Sequence, residues 1–313
     1  MKKLDFHVHI YADCSVEEVA ENFKAMMARH NLCGVGLMAL HHNSKGFHPT
    51  CNEDALKLRS LLPEAYAFAS IHMNQDYVEQ AKRYMDQGFD GIKLLNGKPS
   101  EYRFFGSGYE TPEFDRLFAY CEKEQIPMVI HNNDPRLYWQ QSPKTEHLRE
   151  KGWFYGDGDL PTQEQFFVML EDVFRRHPHL RAAVAHMGFY YDNIPRAVAL
   201  LESCPNLYFD MTPAVEVYVE LSQQRENAEQ FVRAYHDRLI FGTDAVASLK
   251  EGNRPWEFNC TKHEMMETFY GGDTPRDVGK YHVEPVKVEP YMLENIYYNN
   301  AMRFMKKPLP QDK

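Results

Sequence analysis

Two histidines, His7 and His9, lie one residue apart in the run Leu4-Asp5-Phe6-His7-Val8-His9. Leu4, Phe6 and Val8 alternate with Asp5, His7 and His9, the period-two pattern of a strand. The spacing places both imidazoles on one side, at the strand's C-terminal end. Two imidazoles on one face are half of a transition-metal site. A surface strand with two titrating histidines has the same signature, so distant residues must supply the other half. His131, His186 and Asp244 each close an apolar run, and Lys93 lies within Gly91-Ile92-Lys93-Leu94. Singly, either histidine could be a hydrogen-bonded strand end, Lys93 an ion-pair partner and Asp244 a helix cap. Together with His7 and His9 they form a metal-binding set, and zinc is favoured by its preference for imidazole and carboxylate.

The elements that must position these residues read as eight short apolar strands alternating with helices. After the first strand come residues 33–40, 66–73, 91–95, 127–131, 182–186, 207–211 and 239–242. Ser15-Val16-Glu17-Glu18 opens a helix as a capping box, and Thr111-Pro112 opens another. Further helical patterns cover residues 53–62, 77–85 (with Gly88 as cap), 166–174, 197–201 and 215–235. Dense apolar strands between helices suit a parallel sheet covered on both faces. Eight such units predict an α/β fold, a (β/α)8 TIM barrel, with a doubly wound open sheet as the rival. No glycine-rich phosphate loop follows the first strand, which disfavours a nucleotide-binding version of that rival. With no repeat, low-complexity segment or linker, residues 1–313 read as a single barrel domain. Three long connections, Asn96–Glu110, Asn132–Leu160 and Ala245–Pro290, follow strands and so fall at the C-terminal face. They carry Tyr102, Arg103, Phe104, Arg136, Tyr138, Trp139, Trp153 and Trp256, and are expected to supply a lid.

Composition narrows the partners. The net charge is −10 with no basic run, which argues against nucleic acid or an anionic membrane. No signal-peptide core or membrane-spanning stretch is visible. The six cysteines are scattered without a C-x-x-C pair, as expected of a reduced, cytoplasmic protein. A small-molecule substrate is the expected partner, and a homodimer is the assembly favoured by base rate.

Phe6-His7-Val8-His9, Asp90-Gly91-Ile92-Lys93-Leu94, Val129-Ile130-His131, Phe241-Gly242-Thr243-Asp244 and Asn300-Ala301-Met302-Arg303-Phe304 form a motif set. With His177-Pro178-His179-Leu180 leading into Ala183-Val184-Ala185-His186-Met187-Gly188, the chain resembles the metal-dependent amidohydrolase superfamily from residue 4 to about 305. It particularly resembles the amidohydrolase-2 branch, which includes decarboxylases of the aminocarboxymuconate-semialdehyde type. The resemblance implies a (β/α)8 fold and a divalent metal, usually zinc. His7, His9, His131 and Asp244 would be ligands, and His186 a ligand or a group that orients and polarises the metal's water. In two-metal members a strand-4 lysine is carboxylated and bridges the ions, so Lys93 leaves that arrangement open. Such a lysine is also common in amidohydrolase-2 sequences without bridging, and one metal per chain is favoured.

A divalent ion lowers the pKa of water from about 15.7 towards ~7. Asp244 would accept a proton from that water and pass it to the leaving group, while His186 or Lys93 stabilises the oxyanion. Hydrolysis of a C–N or C–O bond (amide, lactone or ester) in a small, carboxylate-bearing substrate is the first expectation. The alternative is non-oxidative decarboxylation of an unsaturated or aromatic carboxylic acid, with Arg103, Arg136 or Lys98 binding the carboxylate. Tyr138 and His72 are further pocket candidates, while His41, His42 and His48 read mainly as surface histidines. A barrel that binds without turnover would be favoured by a missing catalytic position, and none is missing.

Overall fold

The computed structural model describes residues 1–10, 14–40, 52–246, 252 and 254–309. His41, His42 and His48 lie outside the described residues. Parallel strands β1 (Leu4–His9), β2 (Gly34–Met38), β3 (Ala65–Ser70), β4 (Gly91–Gly97), β5 (Met128–Asn132), β6 (Ala182–Val184), β7 (Leu207–Asp210) and β8 (Leu239–Ile240) pair in sequence order. Beyond β8, the chain crosses to the other edge of the sheet. Phe6 N–H donates to the Phe241 carbonyl at 3.0 Å, and β9 (Ala245–Val246) pairs with Val8 and His9 of β1. Residues 239–246 therefore bridge β7 and β1 and close the barrel, as the alternating pattern predicts.

Helices cover the outside: α1 (Val16–His30), α2 (Asn52–Leu61), α3 (Tyr77–Asp86), α4 (Pro99–Phe105), α5 (Pro112–Glu124), α6 (Thr145–Lys151) and α7 (Gln163–Arg176). They continue with α8 (Ile194–Ser203), α9 (Val215–Gln223), α10 (Arg225–Tyr235), α11 (Arg254–Gly271), α12 (Pro290–Glu294) and α13 (Asn300–Met305). Their starts follow local chemistry. Ser15 Oγ accepts from Glu18 N–H at the start of α1, and Thr111 and Thr162 cap α5 and α7 in the same way. The amphipathic stretch 215–235 forms two helices, because Gln224 leaves helical geometry at φ −119°, ψ 43°. No helix among the described residues is long and apolar enough to cross a membrane.

Side chains alternate between two apolar layers. Val35, Leu37, Ala67, Ile92, Leu94, Ile130, Val184 and Phe209 pack under the helices. Phe6, Phe68, Val129, Ala183 and Ile240 form a separate cluster with Phe304 and Met305 of α13. Phe6 meets Phe68 and Phe304 edge-on at 5.4 and 5.5 Å, so α13 plugs the barrel below the site.

Strand β1 departs from the simple alternation. Its register against β2 shifts between Asp5 and Val8. That bulge breaks the expected sharing of one face by Asp5, His7 and His9: Asp5 faces His263 of α11, while His7 and His9 face Asp244. Gly36 allows the close approach of β2 to this bulge, since a Cβ there would stand 2.1 Å from the Phe6 carbonyl oxygen.

The long connections contain more regular structure than the sequence reading assigned. The first holds α4 and the second α6 with a 3-10 turn at Arg136–Trp139. The third contains α11 and a hairpin of β10 (Arg276–Val278) and β11 (Tyr281–Val283). Its helical periodicity was masked because the buried face of α11 mixes Trp256, Met265, Met266 and Phe269 with Asn259, Lys262 and His263.

Candidate metal centre

His7, His9 and Asp244 each offer one ligand atom, and these three atoms lie within 4.8 Å of one another. His9 Nε2 stands 3.1 Å from His7 Nε2 and 3.0 Å from Asp244 Oδ1, and His7 Nε2 is 3.8 Å from the same oxygen. His7 Nδ1 is 2.5 Å from Asp210 Oδ2. Donation to this carboxylate leaves the lone pair on His7 Nε2, which points toward the other two donors. Thr212 N–H in turn holds Asp210 Oδ1 at 3.2 Å. Gly242 leaves room for this pair, because a Cβ would meet Asp210 Oδ1 at 2.8 Å and the His7 Cβ at 3.0 Å. Two imidazole nitrogens and a carboxylate oxygen, converging with space beside them, fit a catalytic divalent-metal site.

The segment carrying Asp244 is pinned on both sides. Thr243 N–H and Oγ–H donate to the two oxygens of Asp5 at 2.9 and 2.5 Å. Asp244 N–H donates to the His7 carbonyl at 2.8 Å, and its own carbonyl accepts from Lys262 Nζ at 2.6 Å. Asp244 adopts φ 55°, a left-handed conformation that Asp tolerates better than most residues.

His186 and His131 stand beside this trio, with ring centres 4.9 Å apart; His186 is 6.1 Å from His7. His186 Nδ1 lies 3.1 Å from the Thr212 carbonyl, and His131 Nε2 lies 2.9 Å from the Asn133 carbonyl. Each bond occupies one ring nitrogen as a donor and leaves the other as an acceptor. His186, Met187, Gly188 and Phe189 run through a left-handed turn with φ between 53° and 61°. Three of these four residues carry a Cβ, at a cost of about 1–2 kcal/mol each, which the surrounding core sustains. Lys93, inward on β4, is buried with Nζ 3.2 Å from His7 Nε2.

Burial sets the charge states. It lowers His7 well below the ordinary histidine range, holds His131 at about 4 and His186 at about 3, and thereby favours the neutral imidazoles a metal requires. Burial also brings Lys93 down to about 8. Burial by itself would raise Asp244, yet the charge of Lys262 and the bond to His9 outweigh it and hold the carboxylate well below its usual range.

A cavity of about 450 Å³ opens above the trio, within the range of small-molecule sites (about 300–1,000 Å³). His9, His131, His186 and Asp244 line it with Leu40, Leu95, Phe189, Phe258, Tyr138, Trp153, Lys98 and Lys262. Tyr138 and Trp153 are parallel, 3° apart in plane. The other proposed substrate contacts lie elsewhere. Arg103 is tied to Asp159 and to the carbonyls of Gly152 and Phe154. Exposed Arg136 borders a neighbouring groove and faces Asp192 at 3.6 Å. His72 exchanges backbone hydrogen bonds with the Gln80 amide and does not line the cavity. Asp210 ends β7 as an inward polar residue, the same signal that marks His131, although residues 207–211 read from sequence simply as a strand. Lys262 and Asp134 had no comparable signal.

Similar architecture occurs across solved structures. An uncharacterized TIM-barrel protein from Bordetella bronchiseptica aligns at TM-score 0.64 and 15% identity, covering 98% of this chain and 99% of the other. A 2,6-dihydroxybenzoate decarboxylase bound to 2,6-dihydroxybenzoate aligns at 0.61 and 14%, with 98% and 100% coverage. A probable 2-pyrone-4,6-dicarboxylic acid hydrolase from Acinetobacter baumannii aligns at 0.59 and 12%, again with 98% and 100% coverage. None of the curated proteins compared with the chain matches it. The family model for amidohydrolases matches residues 5–306, from β1 through α13. The chain therefore belongs to the amidohydrolase family.

Proposed function

We propose that this protein is a metal-dependent hydrolase that cleaves a C–N or C–O bond in a small, carboxylate-bearing substrate. The carrying observation is the convergence of His7, His9 and Asp244, of which His9 and Asp244 line the cavity. These residues would hold the ion, zinc by preference for this donor set, with His131 and His186 adjacent as further ligands or polar contacts. When bound, the ion supplies Lewis acidity, polarising a carbonyl and bringing the pKa of water from about 15.7 towards ~7.

The chain's own groups account for the rest. Asp244 keeps 29% of its side chain exposed, so its carboxylate is both anchored and accessible to substrate. Held ionised, it is placed to take the proton of the attacking water and return it to the departing nitrogen or oxygen. Asp210 fixes the His7 ring, and Thr212 fixes His186. With Nδ1 donating to Thr212, the neutral His186 ring presents its Nε2 lone pair, suited to hold the ion or to accept a hydrogen bond from water. Lys93, buried beside His7 Nε2, supplies positive charge close to the donors. Leu40, Leu95, Phe189 and Trp153 restrict water and select a partly apolar substrate.

Decarboxylation of an unsaturated or aromatic acid is the second reading, supported by the apolar cavity and its buried ammonium groups. The fold likeness to the dihydroxybenzoate decarboxylase is compatible with it. Elemental analysis of protein purified without chelator should find about one zinc per chain. Turnover of an ester, lactone and amide panel, followed by acid release, then separates hydrolysis from carbon dioxide production. Absence of bound divalent metal after supplementation would reject both readings.

A further inference from the structure

The cavity contains two ammonium groups with different surroundings. Lys98 Nζ lies 2.5 Å from Asp134 Oδ1, and the other oxygen of Asp134 accepts from Tyr155 at 2.7 Å. That cation is already matched by a carboxylate inside the wall. Lys262 is also buried, yet the acceptor of its hydrogen bond is a neutral carbonyl, Asp244 O at 2.6 Å. The nearest carboxylate oxygen among its ion pairs is Asp244 Oδ2, at 3.8 Å. Its Nζ lies over the Phe258 ring, 5.1 Å from the centroid, and both residues line the cavity.

A metal on His7, His9 and Asp244 would draw the carboxylate's charge toward itself. Lys262 would then have donor capacity and charge that no other described carboxylate satisfies at salt-bridge distance. A buried ammonium in that position calls for an anion.

We infer that Lys262 forms a carboxylate-binding subsite of the cavity, taking the anionic end of a substrate whose apolar body lies against Phe258 and Trp153. The assignment rests on the functional reading above and deepens it. Because Lys262 also contacts Asp244, the bound carboxylate sits next to the reacting end. Lys98, neutralised by Asp134, supports the wall.

Benzoate is a suitable probe, because it joins one carboxylate to an aromatic body, and benzamide is its neutral counterpart. Calorimetric titration of zinc-loaded wild type should give tighter binding of benzoate than benzamide. Lys262→Met should weaken benzoate about ten- to a hundredfold, the scale of a hydrogen bond to a charged group, and leave benzamide nearly unchanged. Lys262→Arg should restore much of the preference for benzoate. Zinc content is measured on each sample.

Equal preference in Lys262→Met and wild type, or no benzoate binding by wild type, overturns the subsite. Loss of zinc from both Lys262 variants also overturns it, by making the ammonium a positioning group for Asp244. Wild type that takes up no zinc fails the functional reading instead. In that protein Asp244 stays beside Lys262, so the anion site is upheld by a benzoate preference that Lys262→Met abolishes and overturned by its absence.

Discussion

Asp210 Oδ2 lies 2.5 Å from His7 Nδ1, joining the end of β7 to β1 across the barrel interior. Both side chains are essentially buried, at 0% and 1% exposure, so the contact can fix the ring without competition from water. It assigns the Nε2 lone pair to the centre. Asp210→Asn keeps the shape but weakens the acceptor and permits the wrong tautomer. Metal affinity should fall about 10- to 100-fold, measured by competition with a chromophoric chelator. Unchanged affinity would remove Asp210 from the site's design.

Asp244 is assigned both anchoring and proton transfer. Asp244→Asn retains an oxygen at the site but no longer provides a basic carboxylate. Turnover should fall about 10²- to 10⁴-fold while metal content stays largely intact. Steady-state kinetics with elemental analysis on the same preparation provides the check, and normal kcat would refute the role.

Lys93 Nζ lies 3.2 Å from the His7 nitrogen that a metal would use. In a one-metal centre, Lys93→Met removes a competing cation and should leave about one metal per chain at equal or higher affinity. In a two-metal centre bridged by a carboxylated lysine, the same substitution would lower the stoichiometry from about two. Metal content with intact mass distinguishes them.

The buried histidines make metal-free protein sensitive to acid. Burial lowers His7, His30, His131, His186 and His263, with His30 and His131 at about 4 and His186 at about 3, against an ordinary 6.5. Between pH 6.5 and 4 the unfolded chain binds more protons at these positions, so stability falls as pH falls through that window. Asp5, raised by burial from 3.8 to about 7, and Asp210, also raised, act in the opposite direction. With His72 and His177 lowered by burial too, seven histidines against two carboxyls give a net loss on acidification. The Tm of chelated protein should therefore drop between pH 6.5 and 4.5, and a flat or rising profile would contradict this balance.

Gly36 tests the bulge in β1. A Cβ at this position would meet the Phe6 carbonyl oxygen at 2.1 Å, which demands backbone movement. Gly36→Ala should destabilise the fold by roughly 3 kcal/mol and loosen metal binding through His7. Urea unfolding and chelator competition measure the two effects, and a variant with wild-type values in both would refute the constraint.

Much of the barrel was legible because each strand is an apolar run and each helix repeats an apolar face. His7, His9, His131, His186, Lys93 and Asp244 stood out because a polar side chain at such a run's end must face another polar group, a ligand or water. Tertiary structure decided which of them converge. The bulge turned Asp5 toward α11 and away from the two histidines, a change invisible to strict alternation. Tertiary structure also set the cavity's charges: Arg103 is used by Asp159, while Lys262 comes from a helix whose buried polar residues obscure its period. Sequence determines local periodicity and chemical type through short-range sterics and hydrophobicity. Which cation meets which anion depends on barrel closure, which brings residues more than two hundred positions apart, such as His7 and Asp210, into contact.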